Sequence, residues 1–234
     1  MTAVPTPRPV GTVLVTGGSS GLGAAVVRAV AAAGGKPAVL DRVPPPDPVP
    51  FAAVDLADSA ATARAVDALV LEVGPPDGVV TAAGIDVPGP LDGVDAADWE
   101  RVVRVNLFGT AAVVRAALPH LRRTHGTVVT VASTLALRGA GDATAYCASK
   151  FAIRGFTQAL AAELAGQVGV TLLVPGGMRT PFFDGRAAQY RPGPDAALND
   201  PAATAAAVVT ALTQPPGSEI RELLVMASQE SSWP

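Results

Sequence analysis

Thr16-Gly17-Gly18-Ser19-Ser20-Gly21-Leu22-Gly23 decides the fold through what stands on either side of it. Before it, Val10 to Thr16 is a short apolar run that reads as a strand. After it, Leu22 to Ala33 is apolar and stops at Gly34-Gly35, as a helix with a glycine C-terminus does. Glycine admits positive φ and lets another backbone come close. Between a strand and a helix, that freedom lets a pyrophosphate rest on the helix N-terminus. The spacing is G-x3-G-x-G rather than G-x-G-x-x-G. A glycine-rich turn with packing duties alone looks the same, so the turn by itself leaves both readings open.

Working outward, the strand–helix alternation continues. Strands are expected at 37–40, 51–54, 79–82, 127–131, 170–174 and 222–226. Helices are expected at 59–73, 146–165 and 201–213, with one or two more between Asp95 and about His120, where Pro119 sits near the end. The strand at 127–131 is β-branched and apolar throughout, as a strand covered on both faces should be. This order predicts a single α/β domain over 1–234, a Rossmann-like doubly wound parallel sheet of about seven strands flanked by helices. The proline run at 43–50 is an irregular connection. The polar stretch at 179–200 is long for a connection and is expected to be a substrate lid.

Composition is consistent with this. At 49% hydrophobic and 16% charged residues, the 234-residue chain can bury a large core, and with 4% aromatics that core is built from Ala, Val and Leu. A net charge of −3 with no long basic run argues against nucleic acid as a partner. Arg122-Arg123 reads as the solvated end of a helix. The one cysteine, Cys147, excludes an internal disulfide and fits a reducing cytoplasm. Thr2 to Pro9 reads as a frayed proline-bearing lead-in rather than a leader, and no uninterrupted apolar stretch suggests a membrane span.

The chemistry-bearing residues come next. Asp41 ends the second strand, 18 residues after Gly23. A carboxylate there accepts hydrogen bonds from ribose hydroxyls and repels a 2′-phosphate, which favours NAD over NADP. Arg42 pulls the other way, since a guanidinium binds phosphate. Ser133 follows the fifth strand, Tyr146 comes 13 residues later, and Lys150 four after that. Tyr146 and Lys150 at i, i+4 share a helix face. A free phenol titrates at about 10, and a nearby ammonium favours phenolate. A serine hydroxyl can hold a substrate oxygen. His120 and His125 have no metal-ligand companions and are expected at an exposed helix end, so no metal is expected. Cys147 and Trp99 are expected to pack, and Trp233 either to cover an interface or a pocket or to be disordered near the terminus.

Together these pieces resemble the short-chain dehydrogenases/reductases. The matching segments are TGGSSGLG at 16–23, Asp41, Asp55-Leu56, AAG at 82–84, Asn106 in VNLFGT, Ser133 in VASTLA, YCASK at 146–150 and PGGMRTPF at 175–182. They span almost the whole chain in the family order. The resemblance implies that Gly17, Ser19, Ser20, Gly21, Leu22 and Gly23 wrap the cofactor pyrophosphate. It implies further that Asp41, with Arg42 beside it, meets the ribose, that Asp55 and Leu56 border the adenine, and that Ala82, Ala83 and Gly84 form the floor. Pro175, Gly176, Met178 and Thr180 would contact the nicotinamide side. Asn106 would fix a helix kink and a water of the proton relay, Ser133 would polarise the substrate oxygen, and Tyr146 would be general acid/base. Lys150 would lower the Tyr146 pKa and hold the nicotinamide ribose. Two departures stand out: Thr81 replaces the Asn that commonly precedes AAG, and the C-terminal IRELLVMASQESSWP replaces a Gly-Gly segment common in relatives.

The implied function is an NAD(P)-dependent oxidoreductase interconverting a secondary alcohol and a ketone or aldehyde, in a homodimer or homotetramer paired through the helices bearing Asn106 and Tyr146. Two alternatives are a non-catalytic dinucleotide-binding regulator or scaffold and an NADP-linked reductase of 3-oxoacyl thioesters. The substrate pocket is expected from 134–141 and 182–199, with Phe182, Phe183 and Tyr190 apolar and Asp184, Arg186 and Arg191 polar.

Overall fold

The computed structural model describes residues 6–230; residues 2–5 of the lead-in, and Trp233 with the rest of the terminal SSWP, lie outside the described residues. In chain order the elements are β1 (Thr12–Thr16), α1 (Gly21–Ala32), β2 (Lys36–Asp41), β3 (Phe51–Ala53), α2 (Ser59–Val73), β4 (Gly78–Thr81) and α3 (Ala96–Val103). A π-helical turn (Arg104–Gly109) leads into α4 (Thr110–Thr124), then β5 (Thr127–Val131), α5 (Thr144–Glu163), β6 (Gly169–Pro175), α6 (Pro201–Leu212) and β7 (Glu222–Val225). The strands form one seven-stranded sheet in the order β3-β2-β1-β4-β5-β6-β7. All pairings are parallel. This is the expected doubly wound sheet.

Successive strand residues point to opposite faces, and helices cover both faces here. Leu14, Leu40, Val79, Val128 and Val170 pack with Val66, Leu69, Val113, Leu121 and Leu160 of α2, α4 and α5. Val13, Val15, Val39, Val80, Val129 and Leu173 pack with Val26, Val27, Val30, Val208 and Leu212 of α1 and α6. Each such side chain contributes about 1.5–3 kcal/mol over exposure. Side-chain caps set two helix starts: Asp58 accepts from Ala61 N at 2.9 Å and Asp200 from Ala202 N at 2.8 Å.

The structure departs from expectation between residues 95 and 125. One continuous helical run, Ala96–Thr124, replaces one or two helices ending near His120. Pro119 lies inside α4 without ending it. Proline cannot donate to the carbonyl four residues back, but that residue, Arg115, is exposed, so water can satisfy the carbonyl. The helix stops at His125, left-handed at φ 48°, whose N–H bonds Leu121 O. By length and composition alone this 29-residue run is apolar enough to cross a membrane, but Gly109, Arg115 and Pro119 interrupt it, in keeping with the expectation of no uninterrupted apolar stretch. Its Val102, Val105, Val113, Val114, Ala117 and Leu121 are buried in the fold, the pattern of a core helix.

The 179–200 segment is pinned at its root. Met178 bridges Asn199, Asn199 N donates to Gly177 O at 2.8 Å, and Arg179 N donates to Asn199 O at 2.9 Å. Between these ends lie two short 3-10 turns, Pro181–Phe183 and Ala188–Tyr190.

Candidate active site

From β1 the chain builds outward to β3, then crosses back to β4 on the other side of β1. Such a reversal opens a crevice at the carboxyl ends of the strands. A cleft of about 620 Å³ lies there. It is lined by Gly17, Ser20, Gly21, Leu22, Gly23, Asp41, Arg42, Asp55, Leu56, Ala82, Ala83, Gly84, Ser133, Tyr146, Lys150, Pro175, Gly176, Met178 and Thr180. The fold thus brings together nearly every residue singled out in the sequence. Ser19 and Asn106 stand behind the lining.

The glycine turn is held by its neighbours. Gly17, at φ +69°, sits so close to β4 that a Cβ would fall 2.7 Å from Ala83 Cα, and a Cβ on Gly23 would fall 2.0 Å from Gly17 O. Ala83 N also donates to Thr16 Oγ1 at 3.1 Å. The α1 N-terminus therefore opens on the cleft with no side chain capping it. A Cβ on Gly21 would stand 3.3 Å from Thr180, so the cradle is narrow as well as bare. A dinucleotide pyrophosphate fits such a cradle: it needs amide donors, the helix dipole and no intervening side chain. Ser19 does not face it, which corrects its expected place in the wrap. Its N–H donates to Asp41 Oδ2 at 3.0 Å and its hydroxyl to Val43 O at 2.6 Å.

At the other end of that loop, Asp41 also accepts from Arg42 N at 2.6 Å. Two backbone amides orient the carboxylate and leave it lone pairs for a ligand hydroxyl. Asp55 pairs with Arg101 at 2.7 Å. Both are partly exposed, so the pair contributes about 1 kcal/mol at most. Arg101 lines the cleft and was not anticipated, being 46 residues from its partner.

Ser133, Tyr146 and Lys150 meet where β5 ends against α5. Ser133 is extended (φ −170°), and its Oγ accepts from Leu135 N at 3.2 Å. It also hydrogen-bonds the Tyr146 hydroxyl. Lys150 Nζ donates to Val131 O at 2.9 Å and lies 5.5 Å from the centre of the Tyr146 ring. Burial pushes the phenol above its ordinary value, against the hydrogen bond to Ser133; Asp86 acts with burial and Arg186 against it. Burial also holds the Lys150 ammonium down, to about 8. With the cleft empty the phenol thus stands above its usual range rather than below it as expected, and desolvation sets that direction.

Asn106 sits inside the π turn, so the expected irregularity in the helix is present. Its Oδ1 accepts from Ile85 N at 2.9 Å, and its Nδ2 donates to Ile85 O at 2.9 Å and to Ser149 Oγ at 3.0 Å. Ser149 Oγ in turn donates to Tyr146 O at 2.8 Å. A buried amide thus joins the loop after β4 to the turn of α5 that carries Tyr146.

The substrate end holds residues that sequence reasoning missed. Asp86, two residues beyond Gly84, pairs with Arg186 of the 179–200 segment at 3.2 Å, with side chains 5% and 12% exposed. The Arg186 Cζ lies 4.5 Å from the Phe182 ring centre and 4.9 Å from that of Phe183. Phe182 packs on Tyr146 at 5.6 Å between ring centres. Glu230 enters from the C-terminal segment, its Oε2 accepting from Gly177 N at 2.9 Å. Asp86 could have been flagged by its place just after a strand's carboxyl end; nothing local marks Glu230. Tyr190 lies off the cleft lining, donating to Asp142 Oδ2 at 3.1 Å, and Asp184 and Arg191 line a separate surface hollow. Cys147 is buried. Trp99 is only half-buried and donates to Thr144 Oγ1 at 3.0 Å. His120 is paired with Arg123 at 2.7 Å. Among the described residues, no group of His, Cys, Asp and Glu could hold a metal.

Residues 11–191 match the family model described as short chain dehydrogenase. The chain is 35% identical over 208 residues to the short-chain reductase protein NovJ of Streptomyces niveus, covering 82% of this chain and 79% of that one. It is 38% identical over 171 residues to a short chain dehydrogenase of Pseudocercospora fijiensis, covering 66% of this chain and 55% of that longer protein. The structure of a 3-ketoacyl-(acyl-carrier-protein) reductase from Brucella melitensis complexed with NADH superposes with a TM-score of 0.82 at 27% identity, over 92% of this chain and 96% of that one. The chain belongs to the short chain dehydrogenase family of NAD(P)-dependent oxidoreductases.

Proposed function

We propose that this cleft interconverts a secondary alcohol and its ketone, or an aldehyde and its alcohol, with Tyr146 as the group that exchanges the proton of the reacting oxygen. The supporting observation is the contact of Ser133, Tyr146 and Lys150 at the end of the glycine-lined cleft. In the oxidative direction the carbon gives up a hydride and its oxygen a proton; in reduction both return. The nicotinamide, when bound, takes or supplies the hydride and, when oxidised, brings a positive charge near the phenol. Ser133 holds the reacting oxygen by hydrogen bond, and Tyr146 receives or donates its proton. Lys150 keeps a cationic donor beneath the phenol, and Asn106 holds that turn of α5 in register through Ser149.

Gly17, Ser20, Gly21, Leu22 and Gly23 would cradle the pyrophosphate, Asp55 and Leu56 the adenine, and Met178 and Thr180 the nicotinamide side. NAD is the preferred cofactor, because Asp41 places an oriented carboxylate where a 2′-phosphate would have to sit. Exposed Phe108 and Phe151, on the helical run of Asn106 and on α5, fit a homodimer or homotetramer, to be checked by light scattering. A single buried cysteine fits a cytoplasmic setting.

Tyr146→Phe tests the chemistry. Turnover of a carbonyl and alcohol panel should fall by at least about 100-fold, with cofactor affinity, measured by calorimetry, nearly unchanged. Near-normal turnover would overturn the assignment.

A further inference from the structure

The middle of the 179–200 segment is tied to the body of the protein from inside. Arg186 pairs with Asp86 at 3.2 Å, and both side chains are almost sealed from solvent. Asp86 belongs to the loop after β4, where its carboxyl also takes the Val87 N–H. That loop is held at the neighbouring residue, since Ile85 N and Ile85 O both bond the Asn106 amide. The same amide reaches Tyr146 O through Ser149. Asp86 and Tyr146 thus hang on one frame, and Arg186 is the segment's hold on it.

From Arg186 the contacts run back to the reacting phenol. Its guanidinium lies over the Phe182 ring at 4.5 Å and the Phe183 ring at 4.9 Å, an arrangement that attracts a cation to each ring face. The two rings meet edge to face at 5.4 Å, and Phe182 leans on Tyr146 at 5.6 Å. Further along the segment Tyr190 donates to Asp142 Oδ2, but that bond is exposed to water.

A buried ion pair adds little net stability, because desolvation offsets its attraction. Separating the two charges is another matter, since each would be left unpaired in an apolar setting. Apolar contacts are non-directional, whereas this pair, stacked on two rings, fixes one position. The charged or titratable groups about the Tyr146 phenol are Lys150 and Cys147 on its own helix, and Asp86 and Arg186. Burial acts on that phenol more strongly than any of them, and Phe182 contributes to that burial.

We propose that Asp86 and Arg186 are positioning residues for the reaction, a buried latch that seats Phe182 on Tyr146 and keeps water from the phenol while the proton moves. This inference rests on the reading of Tyr146 as the proton-exchanging group. Both latch residues act through Phe182 rather than on the reacting oxygen.

The test reads the segment and the phenol separately, both without cofactor or substrate. Chymotrypsin cuts after aromatic residues, and Phe182, Phe183 and Tyr190 lie in the segment. Asp86→Asn and Arg186→Met each strand the partner charge, so cleavage at those residues should quicken by at least about tenfold. Arg186→Lys keeps a cation for Asp86 and the rings, and should stay within about threefold of the unaltered protein. Subtracting the ultraviolet titration of the matching Tyr146→Phe protein isolates the Tyr146 phenol. Asp86→Asn removes a charge that disfavours phenolate and admits water. At the same high pH it should carry at least about threefold more Tyr146 phenolate than the unaltered protein. Circular dichroism checks that each variant is folded; if Asp86→Asn is not, D86N/R186M, which strands no charge, carries both expectations. Unchanged cleavage in Asp86→Asn and Arg186→Met would overturn the latch. Cleavage of Arg186→Lys as fast as of Arg186→Met would overturn the ion pair as its basis. Faster cleavage with an unchanged Tyr146 titration would overturn the seating of Phe182 on the phenol. Absence of turnover with any alcohol or carbonyl would overturn the oxidoreductase reading instead, and would leave both readouts as they stand.

Discussion

Replacing Lys150 with Met should change the pH dependence of stability by a predictable amount. Lys150 is 4% exposed and donates to Val131 O at 2.9 Å. Burial lowers its pKa from the ordinary 10.5 to about 8. At ~1.4 kcal/mol per tenfold change in proton affinity, that gap amounts to roughly 3 kcal/mol. The folded protein releases the lysine proton at a lower pH than the unfolded chain does. Between about 8 and 10.5 the unfolded chain therefore binds more protons, and raising the pH stabilises the fold. The stabilisation is complete above 10.5 and is lost as pH falls through 8. Met keeps much of the apolar stem and has nothing to titrate. Its loss of the bond to Val131 O is a constant offset across pH. Urea unfolding of the cofactor-free proteins at several pH values from 7 to 10.5, taken as unaltered minus Lys150→Met, isolates the lysine, since the other titrating groups are common to both. The difference should rise by roughly 3 kcal/mol across that range. A flat difference would refute the claim that the ammonium is held against its own desolvation.

Asn106→Ala strands Ile85 N–H and C=O and removes the donor to Ser149. A cost of about 2–4 kcal/mol should lower the melting temperature by roughly 5–15 °C, and a drop under about 2 °C would contradict it. Gly23→Ala puts a Cβ 2.0 Å from Gly17 O and should weaken NAD binding by at least about tenfold, whereas Gly139→Ala, with nothing within 4 Å, should leave binding unchanged. Asp41→Ser should cut the preference for NAD over NADP in kcat/KM by at least about tenfold; an unchanged ratio would show that Asp41 does not read the ribose.

The sequence by itself determined the layered fold and most of the cleft. Period-free apolar strands, the first helix closed by Gly34-Gly35, and the glycine turn at 16–23 are local signals, written within a few residues and carried by backbone sterics and burial. Tyr146 and Lys150 were legible for the same reason, since helix geometry alone places them on one face. Tertiary structure decided the rest. Pro119 is tolerated because its freed carbonyl partner faces water. Ser19 serves Asp41 rather than the cradle because β2 ends beside it. Asn106 reaches Tyr146 only through Ser149. Whether the phenol stands above or below its ordinary value depends on how completely it is desolvated, which spacing cannot report. Asp86 and Arg186 meet because a parallel sheet gathers distant strand ends, and the segments that follow them, along one edge. Contacts of that kind are set by packing between elements, and no local pattern in the chain encodes them.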